Sequence, residues 1–484
     1  MLEMQRKSTS PFLALLSLPA TAMGFALSVQ ISALSWILTT QYGLDIHDVG
    51  LVWAAGPLAG IIGQVIIGIV SDNTWLWGGR RRPYILIGGV LAALMLLALP
   101  NIDVIADGLG VDGILGIAIL IALALDLSIN VSFNPTRSII ADVTTSGPNR
   151  TRGYTWMQTI SGSFGVLAYG IGAVWDNYTL IYFGVFLVLL FSVLPPLFVE
   201  EPRELNESHE AQEKQPVSLG AVLLNIRPLW GFLVYGAYAL TMRLLHIEVE
   251  HYWIEGICAV ATLVLVVQTL FSRKTSDGKG GGSLEGFRRV LAAHAFSWLG
   301  VQTMFVYMFA YVQQTLPDLN DVDMGRVVSI SFLILNAVAA VLPAFVLEPL
   351  TRRLGRVKTH VLCLLIMTVG YGAILLAGSS LTMLYACMAL LGVGWAAIVS
   401  LPFAIMSNKV DPARMGLFMG LFNLAVVLPQ LTASLGVGVA VSRAEDKGLI
   451  FVICCASLLL STIAWMRVEE DEGAESELIP SSGH

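Results

Sequence analysis

The feature that most limits how this chain can fold is a series of fourteen apolar stretches, each long enough to cross a lipid bilayer. A helix needs about 20 mostly apolar residues to span the hydrocarbon core. The stretches cover residues 12–40, 49–70, 84–99, 113–141, 153–175, 180–199, 228–245, 252–271, 290–315, 327–347, 359–377, 381–407, 416–441 and 448–466. They predict an all-α integral membrane protein with 14 transmembrane helices.

The composition argues against other classes of protein. Hydrophobic residues make up 56% of the 484-residue chain and charged residues 13%, whereas an ordinary soluble domain carries about 25% charged residues. A soluble fold cannot hide so much apolar surface. We therefore expect neither a soluble enzyme, nor a nucleic-acid-binding protein, nor a disordered scaffold. The cysteines lie in apolar stretches without metal-ligand or disulfide spacing, at positions Cys258, Cys363, Cys387, Cys454 and Cys455.

The positive charges predict the orientation, because basic loops resist translocation. With the N-terminus in the cytoplasm, 22 of the 27 Lys and Arg residues fall on the cytoplasmic side. Both termini are then cytoplasmic, and the protein is a multi-pass protein of the cell (inner) membrane. Arg6, Lys7 and the small-residue site Ala20-Thr21-Ala22 resemble a secretory signal. The apolar run continues past that site to Leu38, so we expect the first helix to be retained.

Polar interruptions divide the chain into six parts. An N-terminal six-helix bundle (1–199) is followed by a charged cytoplasmic linker (200–227), an extra helix pair (228–271) and a flexible, glycine-rich cytoplasmic loop (272–286). A C-terminal six-helix bundle (287–467) and an acidic disordered tail (468–484) complete the chain. Because the extra pair adds an even number of membrane crossings, the second bundle enters the membrane from the same side as the first.

The two bundles have basic loops and prolines at corresponding positions, which indicates an internal repeat. Arg80, Arg81 and Arg82 follow the second span, and Arg352, Arg353 and Arg356 follow the corresponding span of the second bundle. Pro135 and Pro402 likewise each precede a cytoplasmic turn that ends in Arg and Gly. Duplicated bundles are typical of carriers that rock around a site near the bilayer midplane. The repeat therefore favours a transporter.

Polar residues within the fourth span indicate a functional face. At ~100° per residue they fall within about 80° of one another on a helical wheel, at Asp126, Asn130, Asn134 and Arg137. Asp126 is a candidate proton carrier, because a charge at the bilayer centre is costly and is usually functional. Arg137 lies about 16 Å further along the helix and is a candidate for holding a substrate hydroxyl or a carboxylate on another helix. The alternative is that both are polar residues that join helices.

Further amides and one tryptophan are candidate substrate-binding residues: Gln30, Asn130, Asn134, Gln158, Trp298, Gln302, Asn423 and Gln430. Amides both donate and accept hydrogen bonds, and an indole face stacks on sugar C–H groups. Individually each is more often a helix-packing residue. Together they favour an uncharged, polyhydroxylated ligand over a lipophilic drug.

Proton coupling is favoured over sodium coupling, because the spans contain one deep acid and Na⁺ would need several oxygen ligands. We expect no cofactor apart from the coupling ion H⁺. His246, Glu248, Glu250 and His251 cluster in the loop between the extra helices and could form a metal site. A turn is the simpler interpretation, so we predict no metal.

Four segments have distinctive sequences: 68–83 with its Gly-Arg-Arg-Arg-Pro end, 125–142 with Asp126 and Arg137, 400–404, and MGLFMGLFNLAVVLPQ over 415–430. They resemble the major facilitator superfamily, and within it the sucrose-transporter-like branch of plant sucrose/proton symporters and bacterial sucrose or maltose permeases. The resemblance covers both six-helix bundles and implies the major facilitator fold.

The resemblance implies a proton-coupled disaccharide symporter that works by alternating access. Asp126 would match the family's protonatable aspartate and Arg137 its cavity arginine. The cytoplasmic gate would comprise Asp72, Arg80, Arg81, Arg82, Asp142, Arg152, Arg352 and Arg353. Asn73 departs from the family, which usually has a basic residue there.

The expected partners are a sugar and the bilayer, with no nucleic acid, and the protein is expected to be a monomer. The alternatives are a major facilitator exporter of amphiphiles and a sugar sensor without transport. A membrane enzyme, such as a lipid-linked glycosyl transferase, is not expected, because the sequence has no acidic pair or metal-ligand set at a membrane interface.

Overall fold

The computed structural model describes residues 9–60, 74–111, 113–144, 148–201, 219–245, 247, 252–272, 284–410 and 415–470. Within these ranges the regular structure is helical, apart from an isolated bridge between Leu76 and Gly79. The helices of the first half are α1 (Ser10–Thr40), α2 (Ile46–Trp53), α3 (Arg82–Ala98), α4 (Ile102–Leu109), α5 (Ile114–Val143), α6 (Pro148–Val174) and α7 (Asn177–Phe198). Residues 55–60 continue the helical path of α2.

The rest of the chain adds eleven helices within the described ranges. They are α8 (Leu219–Asn225), α9 (Trp230–Leu244), α10 (Trp253–Phe271), α11 (Leu284–Thr315), α12 (Asp321–Leu342), α13 (Glu348–Leu354), α14 (Arg356–Ile374), α15 (Leu381–Ser407), α16 (Met415–Thr432), α17 (Gly438–Arg443) and α18 (Leu449–Trp465). Short π-helical segments, Pro343–Leu347 and Ala433–Val437, follow α12 and α16.

The predicted all-helical membrane fold is confirmed, whereas the number of spans stays a prediction. Ten helices among the described residues are long and apolar enough to cross a membrane, and α18 is a shorter apolar helix. Of the other predicted spans, α6 carries many polar residues and α9 has 15 residues. The span predicted over 49–70 is helical at 49–53 and 55–60, and its remainder lies outside the described residues.

The two six-helix sets pack in the same order. In the first set α1 lies against α6 and α7, and α3 lies against α5 and α7. In the second set α11 lies against α16 and α18, and α14 lies against α15 and α18. The first and third helices of each set therefore contact the equivalent partners, as expected for a duplicated bundle.

The chain alternates between two ends of the helical array. We call the end at which α1 begins and α18 finishes the terminal end, and the other end the distal end. Several helices that begin at the distal end are capped by the residue before them, as Asp45, Asp176 and Asn320 each accept a hydrogen bond from the backbone N–H three residues on. Such caps satisfy the free N–H groups of the first turn.

Helices α3 and α14 begin at the terminal end and share a different cap. The Glu201 carboxylate accepts hydrogen bonds from the backbone N–H groups of Arg80, Arg81 and Arg82 at 2.7–2.8 Å. The Glu470 carboxylate accepts equivalent bonds from Arg356 and Val357 at 2.7 and 2.8 Å. Each carboxylate lies near the positive end of a helix dipole. Each capping glutamate is the last residue of a Val-Glu-Glu sequence, at 199–201 and 468–470. This correspondence adds a further element to the repeat.

The extra helices α9 and α10 pack against each other and against the second bundle. α9 contacts α16, and α10 contacts α11. The other face of α10 exposes large apolar side chains, namely Trp253, Ile257, Val260 and Phe271. An exposed apolar face of this length is typical of a helix that faces lipid.

Candidate functional site

The Asp126 carboxyl lies near the middle of α5 and is buried, with 6% of the residue exposed. The Gln30 side chain of α1 donates its Nε2–H to Asp126 Oδ2 at 2.9 Å. Gly56 lies beside the same carboxyl, and a Cβ atom there would be 3.2 Å from Oδ2. The carboxyl is thus enclosed by three segments of the first bundle and bound by an uncharged amide.

The other polar residues of α5 lie in different surroundings. Asn130 donates to the backbone carbonyl of Asp126 at 2.8 Å. The Arg137 guanidinium lies over the Phe133 ring, 4.1 Å from its centroid, and the residue is exposed. The side chain of Asn134 is outside the described residues. The predicted polar face therefore joins a buried carboxyl near the bilayer centre to an exposed cation nearer the terminal end.

One face of α6 shows where the two bundles meet. At the distal half of that face, Tyr169 and Gly172 are packed against α12. At the terminal half, Thr155, Gln158 and Gly162 continue the same face at intervals of three to four residues and are exposed. A lipid-facing surface would be apolar, so this polar stretch indicates a water-accessible space. The bundles are in contact at the distal end and separate towards the terminal end.

Hydrogen bonds close the distal end. α1 contributes three of them: Ser32 Oγ lies 2.7 Å from Ser329 Oγ, Ser35 Oγ donates to the Val306 carbonyl at 2.8 Å, and Trp36 Nε1 donates to the Asp321 carbonyl at 2.7 Å. From the second bundle, Arg326 donates to the Trp175 carbonyl at 2.9 Å. Each bond joins one bundle to the other, so together they define a closed gate.

Glycines allow the helices of this gate to approach closely. A Cβ atom at Gly50 would lie 2.4 Å from the Ser434 carbonyl oxygen and 2.5 Å from the Tyr307 hydroxyl. At Gly325 it would lie 2.6 Å from Asn177 Nδ2. Real Cβ atoms essentially never come within 3.0 Å of such neighbours. At Gly50 the nearest atom belongs to the backbone, so the closed distal end requires glycine there, whereas at Gly325 neighbouring side chains would have to shift.

An aromatic and amide cluster lies between the bundles, on the terminal side of this gate. The Tyr169 ring of α6 packs against Phe332 of α12, with centroids 6.0 Å apart, and Asn336 lies one helical turn further along α12. Asn336 in turn accepts a hydrogen bond from Trp395 Nε1 at 3.3 Å. The Trp395 ring packs edge-on against Trp298, with centroids 5.7 Å apart. The cluster thus links α6 of the first bundle to α11, α12 and α15 of the second.

The structure brings some of the predicted substrate-binding residues together. Gln430 Nε2 donates to Gln302 Oε1 at 3.1 Å, which joins α16 to α11. Trp298 joins the aromatic cluster, and its Nε1 donates to His294 at 2.9 Å. Gln30 binds Asp126. Gln158 and Asn423 belong neither to this pair nor to the pair of Gln302 and Gln430.

Tyr169, Asn336 and Trp395 are not among the residues predicted from the sequence. Asn336 is an amide in the middle of an apolar stretch, so its position was a usable signal. Trp395 and Tyr169 gave none, since aromatic residues are common in apolar spans.

The predicted gate residues lie at the terminal end, mostly within one bundle. Arg81 Nε and Asp142 Oδ2 form a buried ion pair at 3.1 Å. Arg152 donates to Ser10 Oγ at 2.6 Å, and Arg352 pairs with Glu348 on the exposed surface of α13. Arg353 is exposed, and Asp72 lies outside the described residues. Arg80 and Arg82 bind Glu201 through their backbone N–H groups, a role that the sequence analysis did not foresee.

The possible metal ligands His246, Glu248, Glu250 and His251 lie outside the described residues. A different group, Asp45, His47 and Asp48, has its ligand atoms within 4.8 Å of one another. Asp45 caps α2, and His47 contacts the Arg243 guanidinium. Burial and the Arg243 cation lower the pKa of His47. Capping and the arginine contact therefore explain this group without a metal.

Comparison with known proteins adds the family context. The model of the Major Facilitator Superfamily matches residues 16–434. The sucrose transport protein SUT2 of Oryza sativa subsp. indica is 24% identical over 473 residues, covering 88% of this chain and 87% of that protein. The general alpha-glucoside permease of Schizosaccharomyces pombe is 29% identical over 190 residues, covering 36% of this chain and 34% of the permease.

Solved structures share the fold at low sequence identity. The POT family transporter PepTSo superimposes with a TM-score of 0.64 at 12% identity, covering 95% of this chain and 98% of that chain. The nucleoside transporter NupG superimposes with a TM-score of 0.60 at 12% identity, covering 94% of this chain and 98% of that chain. These likenesses concern the fold alone.

Proposed function

We propose that this chain, which belongs to the Major Facilitator Superfamily, is a proton-coupled symporter of a disaccharide of the sucrose or maltose type. The family match covers most of the chain, so the protein is a multi-pass membrane transporter rather than an enzyme. Its relatives include proteins named for sucrose and alpha-glucoside transport. The observation that carries the proposal is the buried Asp126 carboxyl, hydrogen-bonded to Gln30 inside the first of two matched bundles.

The proton step rests on Asp126. Burying an isolated carboxylate anion costs far more than burying a neutral carboxylic acid. A carboxyl that is enclosed in one state and hydrated in another would therefore bind a proton from one side and release it to the other. Gln30 can hold the carboxyl in either state, because its amide both donates and accepts hydrogen bonds. Arg137, exposed nearer the terminal end, would instead hold a sugar hydroxyl or a carboxylate of another helix as the space changes shape.

The sugar would bind between the bundles, at the aromatic and amide cluster. Trp298 and Trp395 offer indole surfaces for sugar C–H groups. Tyr169, Asn336, Gln302 and Gln430 offer donors and acceptors for hydroxyl groups. A ligand at this place would contact both bundles, so its binding energy could favour their rearrangement.

Alternating access would use the two ends of the array. The distal end is closed and the α6 face is exposed towards the terminal end. With the terminal end in the cytoplasm, as the positive charges favour, this state is open to the inside. We propose 14 transmembrane helices, cytoplasmic termini and a monomer in the cell membrane. The ion pair Arg81–Asp142 and the other terminal-end arginines would form the inner gate.

Uptake into proteoliposomes tests the function. With an imposed inward pH gradient, we expect labelled sucrose or maltose to be concentrated inside, and a protonophore to abolish the accumulation. Trehalose provides a third disaccharide for comparison. Indifference to all three sugars, combined with movement of lipophilic cations, would instead identify an exporter of amphiphiles. Sugar binding without any uptake would identify a sensor.

Replacing Gln430 by Ala tests the sugar site. The change removes the hydrogen bond to Gln302 and a donor for the sugar, so we expect the KM for uptake to rise about tenfold, which is typical of losing one or two hydrogen bonds. Gln302→Ala should have a similar effect. The matched control is Gln268→Ala, on the exposed surface of α10, where the amide contacts Arg227. An unchanged KM in both site variants would remove this pair from the sugar site.

A further inference from the structure

A cavity lies at the distal end, away from the proposed sugar site. Its volume is about 600 Å³. Its walls come from α9 and α10, from α2 of the first bundle through His47, and from α17 of the second bundle through Arg443. The extra helix pair therefore forms a pocket together with both bundles.

The charged groups of this cavity have a specific pattern. Arg243 and Arg443 each bring a guanidinium to it, the first in contact with His47 and the second 4.8 Å from the centroid of the Tyr252 ring. Glu255 brings a carboxylate, whose Oε2 is buried and has no hydrogen-bond partner among the residues that the structure describes. A buried oxygen of this kind needs a donor. The cavity thus offers two cations and one unsatisfied anion.

An apolar groove adjoins the cavity. It has a volume of about 370 Å³ and shares Tyr235 and Glu255 with the cavity. The groove runs from Glu255 towards the terminal end, between the extra helices and the second bundle. Its walls are apolar and include Phe232, Leu263, Phe296, Leu299, Ile453 and Leu460. A charged pocket that opens into an apolar channel at bilayer depth has the shape of an amphiphile site.

We propose that the cavity and groove bind one phospholipid whose headgroup carries a phosphate and a primary ammonium. The phosphate would lie between Arg243 and Arg443, since guanidinium groups are well suited to phosphate. The ammonium would donate to Glu255 Oε2, and one acyl chain would lie in the groove. A headgroup without an ammonium group, such as phosphatidylglycerol, would offer Glu255 only a neutral hydroxyl donor, whose hydrogen bond is weaker than that of an ammonium. A choline headgroup has no N–H to donate.

The site also links lipid binding to the state of the transporter. His47 and Arg443 line the same cavity from different bundles, and α2 contacts α17 where the distal end is closed. A lipid that binds both walls favours the state that holds them together. The extra helix pair would then stabilise the distal-closed state through the lipid.

Lipid retention by the full chain tests the proposal. The protein would be reconstituted in vesicles of equal parts phosphatidylethanolamine, phosphatidylglycerol and phosphatidylcholine, extracted gently and examined by native mass spectrometry. We expect one phosphatidylethanolamine molecule to be retained in preference to the others. Glu255→Gln should lower its retention about tenfold and abolish the preference over phosphatidylglycerol, because a charge-assisted hydrogen bond is lost. Arg443→Gln should lower the retention of both lipids.

The controls are charge changes outside the cavity. Glu445→Gln neutralises an exposed carboxylate at the same end, and Arg227→Gln neutralises an exposed guanidinium of the extra pair at the terminal end. Both should retain lipid like the wild type. Equal retention of the three lipids by the wild type, a preference for phosphatidylglycerol, or retention that is insensitive to Glu255→Gln would each overturn the proposal. If Arg443→Gln does not fold, Glu255→Gln decides alone.

Discussion

Asp126→Asn is expected to abolish accumulation of sugar against its gradient while leaving sugar exchange intact. A pH difference of one unit is worth about 1.4 kcal/mol per proton and could sustain about a tenfold sugar gradient at one proton per sugar. Asparagine has nearly the size of aspartate and can accept the hydrogen bond from Gln30, but its amide cannot bind and release a proton. The ratio of inner to outer sugar should therefore fall to about 1. Exchange of labelled for unlabelled sugar needs no net proton movement and should continue.

The experiment has a control in an exposed carboxyl of the first bundle. Asp103→Asn changes an exposed aspartate at the beginning of α4 and should accumulate sugar like the wild type. Accumulation by Asp126→Asn at the wild-type ratio would show that the proton is carried elsewhere. Loss of exchange together with loss of accumulation would assign Asp126 to sugar binding or folding instead.

The helices and the buried acid could be predicted from the sequence because both depend on local signals. Apolar length specifies a span wherever it occurs, and Asp126 stands alone in such a run. The partner of Asp126 could not be predicted. Gln30 lies 96 residues away on α1, and nothing in its own segment distinguishes it from an amide that only packs helices. The pairing depends on how α1 and α5 are rotated against each other.

The closed distal gate was also beyond prediction from the sequence. Its bonds use Ser32, Ser35 and backbone carbonyls of the other bundle, which are unremarkable in a sequence. Which end is closed depends on the relation between two rigid bundles, and the sequence of each bundle is compatible with both states. At the terminal end, the arginine motif 80–82 suggests a gate made by its side chains. The structure shows its backbone N–H groups binding Glu201, a contact that depends on where a residue more than a hundred positions away lies in the fold.

Gly50→Ala is expected to reduce transport at least about a hundredfold by preventing the distal end from closing. The added methyl group would lie 2.4 Å from the Ser434 carbonyl oxygen. Ser434 belongs to the π-helical segment Ala433–Val437, so its backbone cannot rotate away as a side chain would. Closure would need a helix displacement that also breaks neighbouring bonds such as Ser35 to Val306. A carrier that cannot close one end cannot complete its cycle, although sugar can still enter from the open distal side.

Distances between spin labels separate this mechanism from misfolding. Labels at Val104 and Leu376, which are exposed residues of the two bundles towards the distal end, would be introduced in a background without native cysteines. Gly50→Ala should populate longer distances than the wild type while still binding sugar. Gly116→Ala is the matched control, because a Cβ atom there meets no neighbouring atom within 4 Å, and it should keep wild-type transport and distances. Wild-type transport by Gly50→Ala would mean that the cycle does not pass through this closed gate, since no cycle that uses it can accommodate the methyl group.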